Sequence, residues 1–430
     1  MKKFLRTIFT FAFFIMLPSF IYADILIPMD LSQTNHLKAY GITFKALENG
    51  WDCKWLLNYR DGSFLIPESA TIKDLCHIRG VYYEKVSPTD IIQIEQIIQK
   101  SNMDIIHLEK APKIAVYTLP KNMSDQTKGF AGEPWDDAVT LALTYADIPY
   151  DTIYDPEILQ GKLDEYDWLH LHHEDFTGQY GKFYASFRNA KWYQTIQNFE
   201  ENLAKKLGFK KVWQLKHAVV EMINSYVENG GFLFAMCGAT DTFDIALAAK
   251  NLDICATPFD GDPIQSNAEK QLDFDRTFAF KDFTLVKNPF EYEFSSIDAS
   301  NYAKIRGAEA DYFTLFNFSA KYDPVPTMLT QCHANVVNGF LGQTTSFHKK
   351  YVKKSVIILG EVEGAEEVKY IHGNIGRGTF TFYGGHDPED YQHKIGDPPT
   401  RLELYKNSPG YRLILNNILF PAAKKKKLKT

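Results

Sequence analysis

The chain has 430 residues, 45% of them hydrophobic and 14% aromatic, and a formal net charge of −6. Such a composition can bury a large core, which excludes a disordered chain. The acidic balance also excludes a partner held by bulk positive charge, nucleic acid above all.

Residues 1–23 read as a cleavable secretory signal. Lys2, Lys3 and Arg6 form a positive start, Thr7 to Tyr22 is almost unbroken apolar sequence, and Ala23 supplies a small residue at the cut. The run is shorter than the ~20 residues of a membrane span and contains Pro18, so no transmembrane anchor is expected after cleavage. The expected location is therefore exported, periplasmic or secreted. Five cysteines follow (Cys53, Cys76, Cys237, Cys255 and Cys332) at spacings that match no zinc pattern. An odd number leaves at least one thiol unpaired, and a Cys53–Cys76 disulfide is one option.

Residues 24–110 read as a small N-terminal α/β unit of β-α-β type. A short apolar strand over 24–29 precedes a helix over 35–48, where Leu37, Tyr40, Phe44 and Leu47 recur at helical spacing before the Asn49-Gly50 stop. A strand over 53–59 and an amphipathic helix over 89–100 complete the unit. A longer α/β series occupies 111–423. Strands are expected over 113–119, 150–154, 166–172 and 232–236, with helices over 135–146 and 211–228. This alternation predicts a doubly wound, mostly parallel sheet.

From about 253 to 337 the pattern loosens into a Phe-, Asp- and Pro-rich insertion of expected β character. Its rings could stack on a carbohydrate or peptide, or simply cover the sheet. The polar segment with His333, Asn335, Gln343 and His348 either lines a cleft or forms a solvated strand surface. A strand over 355–360, a hairpin of strands 368–372 and 379–384, and a closing helix over 411–420 return to the regular pattern. Residues 424–430 are a basic tail, read as solvated.

Chemistry concentrates at three places. In GGFLFAMCGATDTFDIALAA, residues 230–249, a buried strand runs into Cys237 and a helix begins at once, with Thr240 or Asp241 as expected N-cap. This is the build of a nucleophile elbow, with small residues at Ala235 and Ala239 and the Gly238 amide facing a developing oxyanion. In TFYGGHDPED, residues 381–390, a strand delivers His386 at its C-terminal end, with Asp387 and Glu389 close behind. A Cys–His pair with an orienting carboxylate is the minimum set for thiol catalysis. In HLHHED, residues 170–175, strand alternation puts His170 and His172 on one face, while His173 and Glu174 enter a loop next to the elbow. These four residues, with His386, could hold a divalent metal; the bland reading is a buried histidine and a polar loop. No other cofactor is indicated.

Strand–Cys237–helix followed by strand–His386–Pro388–Glu389 resembles the class I glutamine amidotransferase-like superfamily, a flavodoxin-like α/β fold. That resemblance implies Cys237 as nucleophile, His386 as base and Glu389 as orienter. The sequence departs from the family at Ala235 and Ala239, and by Asp387, so either acid could fill the third role. The segments NHLKAYG, WLLNYR, GGHDPEDYQH and SPGYRLILNNILFPA also resemble a family of secreted bacterial proteins often labelled asparagine synthetase B. The motifs do not support that label: Lys2 stands where the synthetase needs Cys, and no ATP pyrophosphatase loop is present. The expectation is an exported cysteine hydrolase of amide or related acyl bonds. A non-catalytic binding or assembly module of the same fold and a metal-dependent hydrolase are the alternatives, with a small molecule, peptide or glycan as ligand.

Overall fold

A computed structural model describes residues 24–120, 137–392, 394 and 397–423. The signal segment 1–23 and the basic tail 424–430 lie outside the described residues. The N-terminal unit is a five-stranded sheet of β1 (Asp24–Ile27), β2 (Cys53–Leu57), β3 (Ser63–Pro67), β4 (Glu84–Val86) and β5 (Asp104–Leu108), in the order β4-β1-β3-β2-β5. Every pairing is antiparallel, not the β-α-β crossover expected. The cause lies between β2 and β3. Asn58, Arg60, Asp61 and Gly62 all take positive φ, turning the chain straight back where the sequence pattern suggested a strand running on to residue 59.

Helix α1 (His36–Glu48), capped by the Asn35 side chain, covers one face of this sheet. After α2 (Ala70–Arg79), helix α3 (Pro88–Lys100) starts in a Ser87–Asp90 capping box. It closes the other face through Ile94 and Ile98 against Leu26, Leu56 and Leu65.

The second sheet has ten strands among the described residues: β6 (Ile114–Tyr117), β7 (Asp151–Ile153), β8 (Trp168–Leu171), β9 (Phe232–Met236), β10 (Tyr312–Leu315), β11 (Val336–Asn338), β12 (Phe347–His348), β13 (Ile357–Glu361), β14 (Glu367–Ile375) and β15 (Gly378–Tyr383). Its order is β11-β10-β13-β14-β15-β9-β8-β6-β7, with β12 beside β14. Strands β7, β6, β8, β9 and β15 are parallel, and β14, β13, β10 and β11 continue the sheet antiparallel. Strand β9, FLFAM, is wholly buried because both of its faces are covered. Phe232, Phe234 and Met236 meet the core that holds α4 (Ala138–Ala146). Leu233 and Ala235 meet the core of α6 (Val212–Glu228), beside α5 (Lys191–Lys206) and α7 (Ala239–Ala248). Helices therefore cover both faces of the parallel part of the sheet, β15-β9-β8-β6-β7, as expected for an α/β fold, and the sheet as a whole is mixed.

The insertion at 253–337 is not β-rich. It contributes β10, β11 and short helices, and is otherwise loop. The Asp244 carboxylate accepts the amides of Phe278, Ala279 and Phe280, so these groups bond to a side chain rather than to a ladder. Phe278 and Phe280 then lie against Phe380 and Phe382 of β15, covering the sheet.

Helix α8 (Pro409–Leu419) joins the two sheets. Arg412, fully buried, donates to the carbonyls of Met29 and Asp61 and to the Tyr40 hydroxyl, while Tyr40 bonds Asn416. His36 bonds Asn407 and stacks on His333 at 4.0 Å. One core runs from β1 through α1 to α8.

All five cysteines are unpaired thiols, which removes the disulfide option. Burial pushes Cys53 and Cys76 each up to about 12. Among the described residues no helix is long and apolar enough to cross a membrane.

Candidate functional site

The register of three parallel strands builds the site. Leu171 of β8 pairs with Ala235 of β9, and Met236 pairs with Tyr383 of β15. The strands therefore end at one edge, delivering His172, Cys237 and Gly384-Gly385-His386 side by side, where parallel sheets hold ligands. The Cys237 amide donates to the Gly385 carbonyl at 3.2 Å, and the Ala239 amide to the His172 carbonyl at 3.1 Å.

Cys237 has φ +50°, a left-handed conformation uncommon for a side-chain-bearing residue. The strand–helix turn is thus as tight as an elbow needs. Helix α7 begins at Ala239 with Gly238 as N-cap and no side-chain cap, in place of the expected Thr240 or Asp241. Thr240 Oγ1 bonds instead to the Cys237 carbonyl at 2.6 Å, and Asp241 accepts from Thr344 Oγ1 at 2.9 Å.

The thiol does not face open space. It is 2% exposed and accepts the Gln343 amide at 3.2 Å, with the Gly238 and Thr344 amides also turned to it. Burial pushes the thiol up to about 11 although those amides pull it down. Gln343 roofs the elbow, its Nε2 held by the carbonyls of Gly181 at 2.6 Å and Tyr292 at 3.3 Å. The Gly238 amide, expected to face an oxyanion, thus serves the sulphur. Asp387 accepts the Tyr411 hydroxyl and the Glu389 amide, each at 2.9 Å, and Glu389 bonds Ser408.

The histidines converge. Rings of His172 and His386 lie 4.2 Å apart, and His173 lies parallel to His386 at 6.0 Å. One ring nitrogen from each of His172, His173 and His386 falls within 4.8 Å of the others. His172 and His386 are buried and His173 is half-buried. Behind them Asp137 reaches His172 Nδ1 at 3.3 Å and His170 Nε2 at 3.2 Å. Burial opposes the Asp137 charge, but the two imidazoles hold its carboxyl well below the usual range. His170, whose Nδ1 lies 3.2 Å from the Phe234 carbonyl, sits under this set. Asp137 also caps α4 by accepting the Val139 and Thr140 amides. The sequence pattern put Asp137 inside the helix expected over 135–146, and nothing linked it to the HLHHED loop.

His173, Glu174 and Asp137 open onto a cavity of about 360 Å³. The Glu174 carboxylate accepts the His172 amide at 2.6 Å, and burial pushes it up to about 8. Trp192, Tyr193, Phe183, Tyr180, Lys216 and Glu200 also line it.

No family model and no curated protein matches the chain. Solved structures with some likeness include Cytoplasmic Protein STM3548 from Salmonella typhimurium (11% identity, 73% of this chain and 100% of that one, TM-score 0.35). Cytoplasmic Protein STM1381 from Salmonella typhimurium LT2 has 10% identity, the same coverages and a TM-score of 0.34. Gan42B, a GH42 beta-galactosidase, has 12% identity over 65% of this chain and 28% of its own, with a TM-score of 0.28.

Proposed function

We propose that the protein is a metal-dependent hydrolase in which His172, His173 and His386 hold a divalent cation. The observation that carries this reading is the convergence of three ring nitrogens within 4.8 Å, one of them from His173, which lines a cavity. Three protein ligands with one position left open is the arrangement of catalytic rather than structural zinc. Asp137, behind His172, supplies the carboxylate that commonly orients a ligating imidazole. A bound cation would contribute Lewis acidity and acidify water. Glu174 lines the cavity beside His173 and, in its ionised form, would take up the proton. The scaffold in this reading is the class I glutamine amidotransferase-like one, supported by the elbow at Cys237 and the neighbouring strand that ends at His386.

Zinc titration by calorimetry and elemental analysis test the reading. The protein should bind about one zinc, and His173→Ala and His386→Ala should each lose at least tenfold in affinity, since a ligand is removed outright. Wild-type protein that binds no zinc, or a His173→Ala variant that binds it equally well, would overturn the proposal. A second reading, thiol hydrolysis, is favoured by the positive φ at Cys237. Cys237→Ala separates the two. Retained zinc binding and turnover support the metal centre, and retained zinc with abolished turnover supports the thiol.

A further inference from the structure

The cavity beside the histidines has a chemistry of its own. Its walls hold seven aromatic side chains, among them Tyr117, Tyr154, Tyr180, Phe183, Trp192 and Tyr193. They lock one another in place: Phe183 meets Trp192 edge-on at 5.8 Å, Trp192 meets Tyr193 at 5.8 Å, and Tyr180 meets Tyr193 at 6.2 Å. Three threonines, Thr118, Thr140 and Thr152, add hydroxyls. At about 360 Å³ the space lies in the range of small-ligand pockets.

Among the described residues, the one ammonium that lines the cavity is already matched, and the cavity's carboxylates accept hydrogen bonds from the protein, Glu174 from the His172 amide. Lys216 is saturated by Asp155 at 3.0 Å, Glu200 at 3.3 Å and the hydroxyls of Tyr117 and Tyr154 at 3.2 Å each. Asp175 accepts the amides of Thr177, Gln179 and Gly181, and Asp137 pairs with two imidazoles. An anionic substrate would find no cation without a partner of its own, and a cationic one would compete with Lys216. A ligand with flat C–H faces for the rings and hydroxyls for Glu174, Thr118 and Thr152 fits instead.

We infer that this cavity binds a neutral saccharide ring, so that the substrate of the proposed hydrolase is a glycan or glycoconjugate. The substrate assignment rests on the metal-hydrolase reading; the binding does not.

The test is a titration with neutral mono- and disaccharides in the presence of a chelator, followed by intrinsic tryptophan fluorescence and calorimetry. Working without metal keeps failure of the cavity distinct from failure of the cation site. Glucose 6-phosphate and glucuronic acid serve as the same ring carrying an anion. At least one neutral sugar should bind, with each charged counterpart about tenfold weaker or worse, the cost of an unpaired charge at a matched site. Trp192→Ala should lose about tenfold in affinity through the missing stacking face. Because Trp192 is largely buried, Thr152→Trp, an exposed rim position, is a second variant, and it should block binding by filling the mouth. Absence of binding by every neutral sugar, equal binding of the charged analogues, or full binding by Thr152→Trp would overturn the inference.

Discussion

Cys237 combines the backbone of a tight strand-to-helix turn with a buried side chain. Its φ of +50° is the strained turn of an elbow, but Gln343 and three amides enclose the sulphur. Because the strain belongs to the backbone, glycine should relieve it where alanine does not. Cys237→Gly should therefore be at least as stable as Cys237→Ala, by about 0.5–1 kcal/mol, the reverse of the usual order in a core. Urea unfolding of the two variants measures this, and a clearly more stable alanine variant would show the turn to be unstrained. The turn was legible in the sequence from the apolar run ending at Cys237 and from Ala235 and Ala239. Its roof was not, because Gln343 reaches it from 106 residues away in sequence and no periodicity marks that approach. His172 and His386 could be placed on strand ends from local pattern. Asp137 could not be joined to them, since pairing order, not spacing, brings β8 beside β6 and α4.

At the scale of elements, what decides the architecture is close approach rather than propensity. Helix α1 crosses α4 at Gly41, where a Cβ would lie 1.7 Å from the Ala146 carbonyl oxygen. The glycine is helical and needs no special φ; it is there to let two backbones touch. Gly41→Ala should force the helices apart and cost about 3 kcal/mol or more, at the upper end for overpacking, despite alanine's better helix propensity. Thermal melts would show it, and an unchanged or raised Tm would mean that the helices separate freely. The long helices and the wholly apolar β9 were evident in the sequence because their periodicity is sustained. The antiparallel N-terminal sheet was not, since β3 and β4 are short and the connection after β2 is set by residues at positive φ that local composition leaves ambiguous. The insertion misled because aromatic residues that cover a sheet have the same composition as residues that form one.

Several histidines spread over the molecule are held neutral by burial. Burial holds His36 and His217 down to about 4, and His333 and His372 to about 3. Unfolded, such imidazoles titrate near 6.5. Between that value and their folded ones the unfolded chain binds more protons, so stability is fully present above about pH 6.5 and is lost as the pH falls toward 3–4. Each contributes up to about 1.4 kcal/mol per pH unit across this window. Urea midpoints at pH 7.5, 6 and 5 should fall progressively, and His372→Phe should flatten the trend. A pH-independent midpoint would show that these rings are not buried neutral. Two of the four, His36 and His333, lie at the junction where Arg412 of α8 grips Met29, Asp61 and Tyr40. That junction also joins parts of the chain that are far apart in sequence. The first strand to leave the ribosome finishes its surroundings only when a helix nearly four hundred residues later has been made, so the shared core cannot be assembled in order of synthesis. Contacts so distant along the chain close slowly. Until α8 has been made, Met29, Asp61 and Tyr40 lack the Arg412 side chain that joins them in the folded protein.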